Sequence, residues 1–472
     1  MDNGSFVDNS EITPHLGMSR DGLLTDRAKR RKYGLPADLR PPTREDETGR
    51  ARSVFSASSD WVDADITVTT DADQTPIAPG YTVADSVKDG RRTVHFKPDA
   101  PINDFFSIQS GRYDVKRDKA GAVDLAVYYQ PGHEYNVDRM LTAMKASLAL
   151  CSEQFSPYQF RQARILEFPS YARFAQSFAN TIPYSEDIGF LTRLAADDSK
   201  IDVVTYVTAH EIAHQWWGHQ LVPSNQQGAS MLVESFAQYS ALLVMERLYG
   251  REQMRKFLKY ELDRYLRQRG GEVVEELPLA RVENQPYIHY QKGSLAMYWL
   301  KEVVGEVKVN RAMAQLLQQY AFKPAPYPNT LDFLRLLRAE AGPEHDALIT
   351  DLFEKITLLD VKATDAKSVK RPDGKYEVRF TVEARKLYAD GKGKETEAPL
   401  DEAFDIGVFS AEPGRPGYSA ASVLSFARQR ISSGKQTVTV VVDKEPAFVG
   451  VDPFNKRIDR NSEDNLARID KP

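Results

Sequence analysis

The run His210-Glu211-Ile212-Ala213-His214 carries the sharpest chemistry in this sequence. On a helix, residues four apart share a face, so both imidazoles can reach one ion. Glu211 then stands one step around, beside the ion, where a carboxylate can accept a proton from water. Catalytic zinc usually keeps three protein ligands and one open position, so a third donor is needed. His219 lies five residues past His214, about 140° around a helix of 3.6 residues per turn, and beyond Gly218, a predicted helix end. It is a poor ligand. Between His214 and Glu246 the only carboxylate is Glu234, which reaches the ion if the 223–230 loop reverses the chain. Two imidazoles and one carboxylate suit Zn²⁺, one ion per chain.

Those residues need a scaffold, and the chain alternates in texture. Residues 1 to about 55 are polar and irregular, with a basic run at 27–32 that reads as a solvated segment or an ion-pair partner. From about 60 to 130 short strands separated by Asp-Gly and Pro-Gly turns predict an antiparallel sheet, with 123–129 among its strands. Helices are predicted over 136–153, 203–217, 229–249, 251–269 and 291–304, and on to about 355, with Gly218, Gly250, Gly305 and Gly342 as C-caps. The 203–217 segment is apolar nearly all round, the mark of a buried helix. Beyond 356, Tyr376 to Ala384 alternates strictly and Thr437 to Val442 is β-branched or valine throughout, so strands return. The expected organisation is α+β and multidomain. A partial N-terminal β domain covers 1–130, a mostly helical domain 131–355, and a C-terminal β-sandwich-like domain 356–472.

Composition narrows the function classes. A chain of 472 residues has room for two or three cores. No apolar run approaches the roughly 20 residues of a membrane helix, and the first residues lack the regions of a signal peptide. A net charge of −5 without a long basic run argues against nucleic acid as a partner. The single cysteine, Cys151, excludes a disulfide framework, a cysteine zinc site and an iron–sulfur cluster, and its apolar surroundings read as a buried inert thiol.

Three motifs together resemble the aminopeptidase N-like zinc metallopeptidases, gluzincins with a thermolysin-like catalytic domain. They are the zinc helix His210-Glu211-Ile212-Ala213-His214-Gln215-Trp216-Trp217-Gly218, the segment Val233-Glu234-Ser235-Phe236-Ala237, and Tyr290-Gln291-Lys292-Gly293. A looser match is Pro183-Tyr184-Ser185-Glu186-Asp187-Ile188-Gly189, which keeps only the glutamate and second glycine of the family's exopeptidase motif. The resemblance implies that Glu186 holds a substrate's free α-amine and that Tyr290 stabilises the oxyanion. It implies a zinc aminopeptidase acting on peptides with free N-termini. A metalloendopeptidase, or a peptide-binding regulatory domain with little turnover, are the alternatives.

The runs 168–178 and 214–219 look closest to a bacterial branch in which the peptidase-like domain follows ABC-transporter-type permease segments. That implies the soluble, extracytoplasmic (periplasmic) part of a longer protein; without such a parent the expected place is the cytoplasm. Three departures accompany the resemblance. Glu234 comes one residue later than the family's spacing, an excess expected to sit in the 223–230 loop. The upstream Gln/Glu-x-x-x-x-Arg segment and the family's helical C-terminal domain have no counterpart.

Overall fold

The computed structural model describes residues 4–12, 23–55, 61–194, 200–272 and 274–470. The chain divides into two compact units. The first comprises Met1–Arg193, Val203–Val244 and Asn310–Glu340; the second comprises Leu194–Asp202, Met245–Val309 and Ala341–Pro472.

In the first unit, Ile66–Asp71, Arg91–Lys97 and Tyr81–Lys88 form a three-stranded antiparallel sheet in that order. The predicted strand Val123–Tyr129 does not join it. It enters a four-stranded mixed sheet ordered Thr181–Ser185, Gln162–Phe168, Val123–Tyr129, Asp114–Ala120. Only the last pairing is antiparallel; the other two are parallel. The reason lies in the helix Val137–Gln154, which carries the chain across from Val123–Tyr129 to Gln162–Phe168. A crossover of that length permits parallel pairing, and strands covered on both faces read as apolar runs rather than alternation. Leu125–Tyr128 and Ala163–Phe168 are accordingly buried throughout. Cys151 packs in the buried face of that helix as a free thiol.

Within the first 55 residues the described segments are more ordered than the sequence texture suggests. Gly4–Asp8 forms a strand paired antiparallel with Ser107–Gly111. The basic run is a short helix, Arg27–Lys32, whose N-cap Asp26 accepts from the Lys29 N–H. Arg30 is buried and donates to the Pro36 and Leu24 carbonyls, and Arg27 pairs with Asp38 at 2.9 Å. Lys29, Arg31 and Lys32 are exposed, so the run combines a solvated face with that ion pair.

The second unit combines helices such as Met254–Arg269 and Gly293–Val304 with two four-stranded sheets. In one, Tyr376–Ala389 pairs with Ile356–Lys370, Glu395–Ala398 and Gly434–Val442. The other runs Val423–Ser432, Asp401–Phe409, Phe448–Val451, Leu466–Arg468. Alternate residues Val378, Phe380 and Val382 share one apolar cluster with Phe404, Ile406 and Val408, which makes the pair of sheets a sandwich. The sandwich-like C-terminal expectation holds.

Glu302 on the helix Gly293–Val304 ties this unit together electrostatically. Its side chain is 3% exposed and meets Lys456 at 2.5 Å, Arg251 at 2.6 Å and Lys301 at 3.2 Å. Burial opposes its charge, but the three cations, Lys456 foremost, outweigh it and hold the carboxyl at about 2. A folded value below the ordinary 4.5 means that this stabilisation is complete above about pH 5 and drains away as pH falls through 4.5 towards 2. Glu302→Gln is therefore expected to lose on the order of 3 kcal/mol in urea unfolding at pH 7, with the gap to the parent chain closing towards pH 2. Equal unfolding midpoints at pH 7 would refute this account.

Candidate metal centre

The helix Val203–Ala213 presents His210 and His214 on one face, and all its residues from Val204 to Ala213 except Val207 are buried. It ends four residues short of the predicted 217, because the chain tightens at once into a turn. The turn has a use. His214 Nδ1 lies 2.9 Å from the Trp217 carbonyl, so that edge of the ring donates its proton there and Nε2 is turned inward. Gly218 follows with φ +131°, a backbone angle that a side chain would strain, and its N–H bonds back to the Leu221 carbonyl. Trp217 and Trp216 are fully buried beneath; Trp217 stacks edge-on against Phe155 and Phe236.

Glu234 arrives on a π-helical turn, Met231–Ser235, which leads into the α-helix Phe236–Tyr249. A π turn holds one residue more than an α turn and thereby redirects a side chain. It offers a place for the additional residue within the ligand-bearing turn itself. The result is a tight set of donors. His210 Nε2 and His214 Nε2 are 2.9 Å apart, and Glu234 Oε2 is 3.3 Å from each. Three ligands at zinc–nitrogen and zinc–oxygen distances near 2.05 Å in tetrahedral array stand about 3.3 Å apart. The Glu234 Oε2 atom is buried and accepts no hydrogen bond within the protein. Donor chemistry, spacing and that oxygen all fit Zn²⁺.

The charges agree. Burial works against Glu234, yet the facing imidazoles, His214 first, hold it well below the ordinary carboxylate range. His214 moves the other way: burial lowers it, but Glu234 and Glu211 outweigh burial and push it up to about 9. Glu211 is buried and its pKa is raised, chiefly by desolvation, while the backbone of Ser177 bonds its carboxylate. Its Oε2 has no partner. A carboxylate so placed is a competent general base.

Ser177 belongs to a hairpin that sequence reading missed. Residues 174–178 fold back on 181–185, with bridges Ala175 to Tyr184 and Phe178 to Thr181. Gln215, next to His214, fastens it by donating to Ser177 Oγ at 2.6 Å and the Phe178 carbonyl at 2.8 Å, and by accepting from Asn180 N–H at 2.9 Å. Asn180 takes the left-handed φ of 52° that asparagine tolerates. His219 donates to the Ser177 carbonyl at 3.0 Å, and burial lowers its pKa to about 4, so it is a neutral strut rather than a ligand. Gln215 lies in a segment that is apolar nearly all round, a signal that it is buried; nothing in the sequence signals its partner.

Glu186 sits elsewhere on that hairpin. It follows Ser185, whose N–H bonds the Phe174 carbonyl, so it stands three to four residues along the ladder from Ser177, roughly 10–13 Å. Its carboxylate accepts from Ser170 N–H and Oγ, both at 2.9 Å, and gathers with His133 and the fully buried Glu167. Tyr290 belongs to the second unit, on another π-helical turn, Tyr287–Lys292, with its ring 4.6 Å from that of His289. The turn is braced by buried Lys292, whose Nζ lies 3.3 Å from Glu276.

Comparison with known proteins bears on these features. Residues 139–354 match the family model described as the Peptidase family M1 domain. The matched segment contains every predicted site residue. Aminopeptidase M1-B of Oryza sativa subsp. japonica is 23% identical over 280 residues, 57% of this chain and 31% of that protein. Human Endoplasmic reticulum aminopeptidase 2 is 25% identical over 214 residues, 44% of this chain and 22% of that protein. The match thus spans less than a third of either relative. The crystal structure of Legionella pneumophila aminopeptidase A in complex with aspartic acid superposes with TM-score 0.56 at 14% identity, covering 84% of this chain and 45% of that one. It shares the fold.

If Glu234 is the third ligand and His219 is not, the two respond differently to substitution. Glu234→Ala is expected to weaken zinc affinity at least about 10–100-fold, read by atomic emission against a competing chelator. His219→Gln, which can still donate to Ser177, is expected to retain the metal. The reverse pattern would reassign the ligand.

Proposed function

We propose that the chain is a zinc metallopeptidase that removes the N-terminal residue of peptides. The observation that carries the reading is the His210–His214–Glu234 donor triad with Glu211 beside it, its carboxylate bonded by Ser177. The matched segment and the aminopeptidases it resembles support the substrate class. Bound by the triad, Zn²⁺ would act as a Lewis acid and bring the pKa of a ligated water down to about 7. Glu211 takes the proton from the attacking water and passes a proton to the leaving amine. Its raised pKa suits both halves of that task, because it must hold the proton between them. Tyr290, in Tyr290-Gln291-Lys292-Gly293, is assigned to the oxyanion on the strength of that motif.

Glu186 is assigned to the substrate ammonium, and this is where a second reading has its own support. The α-amine of the residue being removed is two bonds from the carbonyl under attack, whereas Glu186 stands several residues up the hairpin from Ser177. The hairpin segment nearest Glu211, 175–181, has no acidic residue. A metalloendopeptidase needs no amine anchor. The same proposal extends to a longer bacterial parent with permease-type membrane segments and a periplasmic peptidase domain, supported by the 168–178 and 214–219 runs; topology reporters on the full-length gene product test that part. Among the described residues no helix is long and apolar enough to cross a membrane.

Two measurements decide the chemistry. Glu211→Gln is expected to keep its zinc and lose at least about 10²–10⁴ in kcat, and Tyr290→Phe about 10²–10³; a Glu211→Gln variant as active as the parent leaves a binding domain. Cleavage of a peptide and its N-acetylated form then separates the two peptidase readings. Rejection of the blocked peptide supports the aminopeptidase, and equal rates support the endopeptidase.

A further inference from the structure

On the mixed sheet of the first unit, strand register sets Arg117 and Lys119, Asp124 and Tyr128, and Gln162 and Arg164 on one face. They line a cavity of about 510 Å³, with Asp118 also at its edge. Arg164 is 5% exposed. Its Nη2 donates to the Ala78 carbonyl, Asn180 Oδ1 and Thr181 Oγ1, each at 2.8 Å, and all three acceptors are neutral. Its Nε is buried with no acceptor. A guanidinium does not shed its proton in a protein, so a full positive charge lies buried here, and among the described residues no carboxylate pairs with it. Buried charge is costly unless it is matched.

Arg117, across the sheet on the same face, is in a similar state. It packs over the Tyr128 ring, 5.8 Å from its centroid, and forms no ion pair among the described residues. The neighbouring carboxylates are committed elsewhere: Asp124 to Lys119 at 3.0 Å, Asp118 to Lys145 at 2.5 Å, and Asp85 to Arg92 at 2.6 Å. Two planar forks without a counter-charge, one of them fixed by three hydrogen bonds, face a cavity of small-molecule size. Guanidinium forks match the oxygens of tetrahedral and planar oxyanions.

We propose that this cavity is a binding site for a small oxyanion of the size and charge of inorganic phosphate, held between Arg117 and Arg164. The site is independent of the peptidase reading. Arg164 also holds Asn180 of the hairpin against the metal helix, so Arg117, exposed and outside that network, is the clean probe.

The test is calorimetric titration of the zinc-loaded full chain with inorganic phosphate, with ionic strength held constant by chloride. One saturable site in the millimolar range or tighter is expected, weakened by at least about tenfold in Arg117→Gln, while the thermal midpoint without phosphate stays that of the parent. Arg164→Lys, which keeps the charge and loses the fork, is expected to weaken binding as well. No saturable binding, or binding unchanged by Arg117→Gln as phosphate on the metal centre would give, overturns the proposal.

Discussion

Three groups that suit a metal, His210, His214 and Glu234, are held within 3.3 Å of one another in an interior that disfavours charge, and the packing around them answers to that constraint. Two imidazole nitrogens 2.9 Å apart would repel one another as cations, and as neutrals could share only one proton between them. Glu234 resolves this by lying 3.3 Å from both. Its own burial is tolerable only because the imidazoles face it. None of the three would be stable there alone, and each is fixed by backbone: the Trp217 carbonyl for His214, the π turn for Glu234 and the buried helix for His210. The tryptophans and phenylalanines beneath are what keep those backbone segments from relaxing.

Much of this was legible because helical spacing is a strong local rule. His210 and His214 four apart, Glu211 one step around, and a lone carboxylate at 234 point to a candidate triad in the sequence alone. The C-terminal strands were legible for the same reason, since Val378, Phe380 and Val382 alternate with residues that face outward. Where a residue's role depends on chain reversal, the sequence says much less. The hairpin 174–185 has neither strict alternation nor an Asn-Gly turn, and its anchor is a glutamine side chain thirty residues or more away. The parallel pairing of Val123–Tyr129 was missed because a strand covered on both faces looks the same to a window of sequence whichever way its neighbour runs.

π-Helical turns carry both Glu234 and Tyr290. In each case the α-helical phase of the flanking residues would aim the side chain elsewhere, and widening one turn shifts it without breaking the helix that follows. Such a turn leaves little trace in composition. An additional residue in the spacing to Glu234 is its one visible sign, and that sign is equally consistent with a longer loop.

The hairpin sets what the centre can discriminate. Along 174–178, alternate residues point their backbone polar groups to opposite edges: Gln176 and Phe178 bond 183 and 181, and Ser177 is left facing the metal helix. Ser177 spends that edge on His219 and Glu211. The Phe178 and Ala179 side chains pack away into an apolar cluster with Phe105, Phe106 and Phe160, so what this stretch offers Glu211 is backbone, and residues 175–181 carry no negative charge. Recognition of an ammonium must come from farther along, where Glu186 joins Glu167 and His133. In that cluster burial raises the Glu167 pKa and Glu186 raises it further, while the Gln130 N–H and His133 pull it down. A cation brought near would relieve the repulsion between the two carboxylates, so the cluster is electrostatically suited to an ammonium, and its separation from Ser177 decides which residue of a peptide could supply one. The backbone of Glu186 lies three to four residues along the ladder from Ser177, roughly 10–13 Å, so an ammonium held there depends on how far the Glu186 side chain reaches back along the hairpin.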